Sequence, residues 1–242
     1  MYRFIGRLAV AAVLAAVFMV CGVGAAADAP GKARLVQAWT VEAEYPQTGV
    51  AEMDRRVREW LEAHINATMA EVAVVSVHPE YDGESWDMGV GFETVRSLPM
   101  VVSVVFETYT NPSRAAHPMA RRDVLNFNGE TGRELGLGDL FADPERALAI
   151  MAEHAPRLVE AALREANPEA QLDGDAWFAD GFSPTRENYA ALVPEKGGVR
   201  VIFQKYQILP YVFGMPEALI PLGLLEPAGP NCALWVDGAD CL

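Results

Sequence analysis

The stretch that most constrains the fold is residues 104–141, where signals for strands, turns and a helix start follow one another closely. Residues 104–109 end a run that begins at Met100 and is rich in valine, which predicts a strand. Asn111-Pro112-Ser113 ends this strand, and Ala116-His117-Pro118 opens the next one. Two neighbouring strands joined by a short loop are therefore expected in the middle of the chain.

The second half of this stretch predicts a tight turn and then a helix. Residues 126–132 contain the two glycines that a hairpin with positive φ needs. A short returning strand is expected at residues 135–137. Asp143 then supplies a helix cap, and Pro144 stands at the first helical position.

The N-terminal part of the chain reads as strand, helix, strand and strand. Residues 35–44 alternate between apolar and polar side chains, which is typical of a strand. Residues 53–72 carry an apolar stripe at helical spacing. Residues 86–93 alternate again, and residues 100–109 follow as a further strand.

The C-terminal part continues with a long helix at residues 144–166, in which Pro156 is expected to cause a kink or a split. Residues 194–198 predict a hairpin turn, and the apolar but proline-punctuated residues 207–225 are expected to wrap over a core. The fold class is therefore predicted as α+β, with two small helix-on-antiparallel-sheet units packed together, in the order β-α-β-β and then β-β-α-β-β.

The same pattern divides the chain into four segments. Residues 1–27 combine Arg3 and Arg7 with an apolar run and small residues before Asp28, which indicates a secretory signal peptide. Residues 28–111 are expected to form the N-terminal unit, residues 112–226 the C-terminal unit and residues 227–242 a tail. An uncleaved membrane anchor or a lipid anchor at Cys21 are the alternatives.

Composition restricts the partners and the compartment. A formal net charge of −14 opposes binding to nucleic acid and to anionic membranes, and it favours basic proteins or cations. Cys232 and Cys241 remain after signal cleavage, and an even count in an exported chain predicts a disulfide between them. The expected location is periplasmic or extracellular, with membrane contact only through a retained signal or a lipid.

The sequence contains no catalytic signature, metal motif or cofactor motif. None of the four histidines is spaced for a helical zinc site, and His64 is expected to face the core. His117 is the candidate general base of an alternative function, a cell-wall hydrolase or esterase that would use Ser113 or a carboxylate. We therefore expect a protein that is not an enzyme and that has no catalytic residue, metal or cofactor.

Several elements together resemble one bacterial family over residues 35–225. They are Ala116-His117-Pro118, Asp139-Leu140-Phe141 and the series Phe203, Tyr206, Pro210-Tyr211 and Gly214. The chain resembles the extracytoplasmic domain of unknown function of RsiV, the lysozyme-sensing anti-sigma factor. A similar region precedes the deacetylase domain of PdaC.

The resemblance implies a sensor-like binding module of the cell envelope. Its partner would be a basic protein such as lysozyme, or peptidoglycan. RsiV-type regulators have a sigma-binding segment before their membrane helix. Because only residues 1–7 precede the apolar run here, we expect no sigma binding. The family often has Gly-Gly before Ala-His, and this chain has Ser113-Arg114-Ala115 there.

The candidate binding residues are Tyr109, His117, Tyr206 and Tyr211. The loop from Tyr109 to His117 and the segment around Tyr211 are expected to meet at one end of the sheet and form a groove. Tyr206 is interpreted mainly as a core residue of a central strand, whereas Tyr211 is expected to be more open.

Overall fold

The computed structural model describes residues 6–9, 39–75, 86–112, 117–169 and 177–235. Its strands are β1 (Gly6–Ala9), β2 (Trp39–Tyr45), β3 (Trp86–Leu98), β4 (Val101–Pro112), β5 (Met119–Asn128), β6 (Leu192–Glu195), β7 (Gly198–Ile202) and β8 (Glu217–Pro221). Its α-helices are α1 (Ala51–Val75), α2 (Leu137–Leu140), α3 (Pro144–Ala166), α4 (Leu222–Leu225) and α5 (Cys232–Trp235), with short 3₁₀ turns at Ala179–Phe182, Tyr211–Phe213 and Glu226–Ala228. Within these ranges no helix is both long and apolar enough to cross a membrane.

The first sheet has the strand order β1-β2-β3-β4-β5, and helix α1 packs on one of its faces. Strands β2 and β3 are parallel because α1 carries the chain back across the sheet between them, and the other pairs are antiparallel. The apolar stripe of α1 is buried against alternate residues of β3 and β4. The buried stripe consists of Met53, Val57, Leu61 and Met69.

The second sheet has the order β6-β7-β8, all antiparallel, and helix α3 packs against it. Helix α3 begins as the sequence predicts, since the Asp143 carboxylate accepts a hydrogen bond from the backbone N–H of Arg146 at 3.0 Å. Its core face is apolar. The buried residues are Ala147, Leu148, Ile150, Met151, Ala155 and Val159.

The two units pack against each other through the face of the first sheet that α1 leaves uncovered. Val105 of β4 contacts a buried cluster that includes Val193 of β6 and Ile202 of β7. Each large side chain buried in this way contributes about 1.5–3 kcal/mol relative to leaving it exposed. The predicted α+β class, with two helix-on-sheet units packed together, is confirmed.

Three details differ from the sequence prediction. Strand β5 pairs with β4 and so completes the first sheet, although it falls in residues 112–226. The short strand expected at residues 135–137 is reduced to one bridge between Phe127 and Glu134, because helix α2 starts immediately afterwards. Part of the punctuated segment 207–225 forms β8, the third strand of the second sheet.

Two further predictions concern the helices and the termini. Pro156 was expected to kink or split helix α3, but the helix runs unbroken from Pro144 to Ala166, so it is not split. Most of the predicted signal peptide lies outside the described residues, and the part that is described, Gly6–Ala9, pairs with β2. Cys241 also lies outside them, and the Cys232–Cys241 disulfide stays a prediction.

A buried polar network connects the two sheets. The Ser103 hydroxyl donates to Asn126 Oδ1 at 2.6 Å, and Asn126 Nδ2 donates to the carbonyl oxygen of Leu192 at 2.9 Å. Both Ser103 and Asn126 are buried. Because a buried polar group without a partner is costly, this network fixes how β5 and β6 lie against each other.

We predict that Asn126→Ala lowers the free energy of unfolding by about 1–3 kcal/mol, because it leaves the Ser103 hydroxyl without its acceptor. Urea denaturation measures this change. In the Ser103→Ala variant, Asn126→Ala should lower the free energy of unfolding by a measurably smaller amount, since the hydroxyl is already absent. Equal costs in the two backgrounds would contradict the coupling.

A second prediction concerns His64 on α1. Burial lowers the pKa of His64 below its ordinary 6.5, while Asp123 and Glu71 raise it and Arg121 lowers it. The ring stacks on Trp60, and Nε2 lies 2.9 Å from Thr108 Oγ1. The unfolded chain therefore takes up a proton at a higher pH than the folded chain does.

The stability of the protein should fall as the pH drops from about 7.5 to about 5.5, through the range in which free histidine becomes charged. Denaturation midpoints at several pH values measure this slope. His64→Gln should flatten it, whereas His154→Gln on α3 should leave it in place. A slope that is unchanged in His64→Gln would contradict the assignment.

Candidate functional site

His117, Tyr206 and Tyr211 lie together where β5 begins. Together with Lys205 they form a group that we call the Tyr211 cluster. The turn at Tyr211–Phe213 follows Pro210 and ends at Gly214, whose φ of 71° suits glycine. This turn aims the Tyr211 hydroxyl at the start of β5, where it donates to the carbonyl oxygen of Pro118 at 2.9 Å.

The ring of Tyr211 is enclosed on both faces. The imidazole of His117 stacks on it with the centroids 3.8 Å apart and the planes at 21°. Lys205 Nζ lies 4.0 Å from the same centroid, over the ring. Two groups this close to one centroid cannot share a face, so the imidazole and the ammonium lie on opposite faces. Tyr211 is therefore held in place by stacking and by its hydroxyl.

Tyr206 differs from Tyr211 because its ring is open to solvent. Its side chain is 47% exposed, and its ring centroid lies 5.7 Å from that of Tyr211 at an angle of 41°. Its φ is +64°, a left-handed conformation that costs a bulky side chain about 1–2 kcal/mol. The expectation that Tyr206 is a core residue is wrong, because β7 ends at Ile202 and the chain then turns.

After β7 the chain turns, and the side chains that it buries do not alternate as they would along a continued strand. Phe203, Ile208 and Leu209 enter the core, and the ring of Phe203 packs edge-on against Phe182 and Tyr189. Tyr189 donates its hydroxyl to the carbonyl oxygen of Phe182, and burial raises its pKa. Tyr189 thus takes the role of buried tyrosine that the sequence suggested for Tyr206.

The fourth predicted residue, Tyr109, lies on the neighbouring strand β4. It is also 47% exposed, and it stands opposite Gly89 on one side and Ala120 on the other. Its ring lies across Gly89, where an added Cβ would be only 2.1 Å from Tyr109 Cε1. Ala120 is three residues from His117 along the chain, so β5 connects Tyr109 to the Tyr211 cluster.

The loop that leads into the cluster is held by one side chain that the sequence did not single out. Gln204 Oε1 accepts from the backbone N–H of Arg122 at 2.9 Å, and Gln204 Nε2 donates to the Arg122 carbonyl oxygen at 2.6 Å. Gln204 stands two residues before Tyr206. Neither Gln204 nor Lys205 belongs to a periodic pattern or a motif, so no sequence signal could have identified them.

The Arg122 side chain adds a second connection between the sheets. Its guanidinium contacts Glu107 on β4 at 2.9 Å and Glu217 on β8 at 2.6 Å. Glu217 also pairs with Arg200 on β7 at 2.8 Å. Arg122, Glu217 and Arg200 in this chain of alternating charges are partly shielded from water, whereas Glu107 is exposed.

The Nδ1 atom of His117 is buried, and none of the residues that the structure describes forms a hydrogen bond with it. Ser113, the nucleophile of the alternative prediction, lies outside the described residues. Within those same residues no three histidine, cysteine, aspartate or glutamate side chains come together as metal ligands would.

Comparison with known proteins identifies a domain in this chain. Residues 138–223 match the family model described as a protein of unknown function, DUF3298. The chain is similar to the peptidoglycan-N-acetylmuramic acid deacetylase PdaC of Bacillus subtilis (strain 168), with 22% identity over 185 residues. This match covers 75% of the chain but only 37% of PdaC. The resemblance drawn from the sequence is confirmed at the level of this domain.

Two solved structures described as DUF3298 family proteins match this chain. A DUF3298 family protein from Pseudomonas aeruginosa PAO1 has a TM-score of 0.54 and 18% identity, covering 86% of this chain and 92% of that one. A family member from Bacteroides fragilis NCTC 9343 has a TM-score of 0.45 and 15% identity, covering 78% and 83%. The first of these supports the fold described above.

We predict that Gly89→Ala displaces the ring of Tyr109, because the new methyl group would overlap it. Gly91→Ala is the matched control, since an added Cβ there has no atom within 4 Å. The aromatic NMR signals of Tyr109 should shift in the first variant only, and its free energy of unfolding should be about 1 kcal/mol lower than that of the control. Equal behaviour of the two variants would contradict the contact.

Proposed function

We propose, on the premise that residues 138–223 carry a DUF3298 domain, that this protein is a binding module of the cell envelope and performs no catalysis. In this proposal a signal peptide of residues 1–27 directs export to the periplasm or the exterior. A Cys232–Cys241 disulfide then closes the C-terminal tail. The contact surface consists of Tyr206 and Tyr109, supported by the Tyr211 cluster.

The observation that carries this proposal is the exposed ring of Tyr206 in a left-handed backbone. A glycine or an asparagine would occupy that conformation at lower cost, so a tyrosine there lowers the stability of the fold. Strained residues of this kind cluster at ligand-contacting sites. Tyrosine is also enriched among the residues that dominate binding at protein interfaces.

The charge of the chain favours a basic protein as the partner. A formal net charge of −14 attracts a cationic protein over a distance and speeds its association. Lysozyme is the example that the family resemblance offers. A peptidoglycan strand is the second partner, because the relative PdaC is named for a peptidoglycan substrate.

We predict that calorimetry with a basic lysozyme detects binding that weakens as the salt concentration rises. Tyr206→Ala should weaken this binding by roughly tenfold or more, as expected for a central aromatic contact. The control is Leu219→Ala on β8, since Leu219 is 43% exposed and lies on another element. Its affinity should stay at the wild-type value.

The same variants separate binding from folding. Tyr206→Gly should raise the free energy of unfolding by about 0.5–1 kcal/mol, because it relieves the left-handed strain, and it should still weaken binding. Absence of binding at micromolar concentration would remove lysozyme, and sedimentation with purified peptidoglycan then tests the second partner. A large loss of stability in Tyr206→Ala would contradict the surface role.

A hydrolase or esterase is the alternative function. The observation that favours it is the buried Nδ1 of His117, which has no hydrogen-bond partner among the described residues. Such an enzyme would use His117 as a general base for Ser113 or for water. Absence of turnover on peptidoglycan and on acyl esters would exclude it. Retained turnover in His117→Ala would exclude His117 as the base.

A further inference from the structure

Strand β5 is the edge of the first sheet, so the backbone groups of every second residue point away from β4. Arg122 is one such residue, and its N–H and C=O are both paired with the carboxamide of Gln204. Asn126 is another, and its carbonyl oxygen accepts from the backbone N–H of Leu135 at 2.7 Å. The positions on either side of Val124 are thus occupied from within the chain, although none of the described residues pairs with the Asn126 N–H.

Val124 lies midway between these two residues, and by the same alternation its N–H and C=O also point outward. Among the residues that the structure describes, none forms a hydrogen bond with either group. We call this position the Val124 gap. It contains the one outward-facing residue between Arg122, which pairs with Gln204, and Asn126, whose carbonyl oxygen accepts from Leu135.

Two cavities border the Val124 gap, one on each side along β5. The cavity towards Asn126 and Leu135 measures about 220 Å³, and the cavity towards Arg122 and Gln204 measures about 160 Å³. Val124 and Ala190 line both of them. Chain atoms that continue in either direction from a group paired with Val124 would therefore enter a cavity.

We propose that the Val124 gap binds a single residue of an extended peptide, which donates its N–H to the Val124 carbonyl oxygen and accepts from the Val124 N–H with its own C=O. A residue in the extended conformation presents both groups on the same side, as in an antiparallel pair. A lone trans amide cannot do so, because its N–H and C=O point in opposite directions.

The chain itself shows that this pairing is available along β5. The carboxamide of Gln204 presents a donor and an acceptor on one side, and it forms both bonds with Arg122. The occupied positions on either side leave room for one ligand residue against Val124. The ligand therefore crosses the edge of β5, and its atoms on either side of that residue enter the two cavities. A short peptide fits this limit, whereas a whole strand does not.

The minimal probe is N-acetylalanine N-methylamide, which is one residue with an N–H and a C=O. Titration into the full-length protein at millimolar concentrations should give a saturable downfield shift of the Val124 amide proton in NMR spectra. The ester analogue replaces that N–H by oxygen and should bind roughly two- to tenfold more weakly. Equal affinity for the two probes, or no saturable shift at Val124, would overturn the proposal.

Two variants test the position directly. Ala190→Trp fills both cavities and should weaken binding of the amide probe at least about fivefold, whereas Ala63→Trp on the exposed face of α1 should not. Val124→Pro removes the outward donor without breaking a bond to β4, as proline at a strand edge allows. If this variant fails to fold, Ala190→Trp and the ester probe still decide the question, and unchanged binding by Ala190→Trp would overturn the proposal.

Discussion

The rest of the structure depends on how the open edge of β5 is covered. The carboxamide of Gln204 replaces a strand at Arg122, and the guanidinium of Arg122 then reaches Glu217 in the second sheet. The main chain and the side chain of one arginine therefore connect both units. The loop that supplies Gln204 also supplies Lys205 and Tyr206, so covering the edge brings the exposed tyrosine to the start of β5.

The elements that were predictable from sequence are those whose signal is local. Helix α3 has its cap at Asp143 and its proline at the first position, and the 194–198 turn joins β6 to β7 as predicted. The parallel pairing of β2 with β3 was not predictable in the same way, because it depends on where α1 returns the chain. Strand β5 has its own alternation, but only tertiary contacts decide which sheet it completes.

For the candidate site, the sequence predicted that two distant segments meet, but it did not predict which tyrosine rings are buried. His117 and Tyr211 are in contact, as the meeting of two distant segments requires. The role of Tyr206 could not be deduced, because an aromatic residue just after a strand has the same signal whether the strand continues or turns. Phe203, one residue past β7, is buried, and the turn then gives Tyr206 a positive φ. Burial and backbone strain are properties of the folded chain and have no local sequence signature.

The length of the Val124 gap also bears on aggregation. Strand edges with several free backbone groups in a row are templates on which copies of a protein join edge to edge into polymers. Such joining needs a register of consecutive bonds, and the Gln204 carboxamide at Arg122 and the Leu135 bond to Asn126 interrupt that register on either side of Val124. The side-chain cover at Arg122 and the backbone cover at Asn126 thus leave this protein a usable pair of hydrogen-bonding groups without a surface that could seed a fibril.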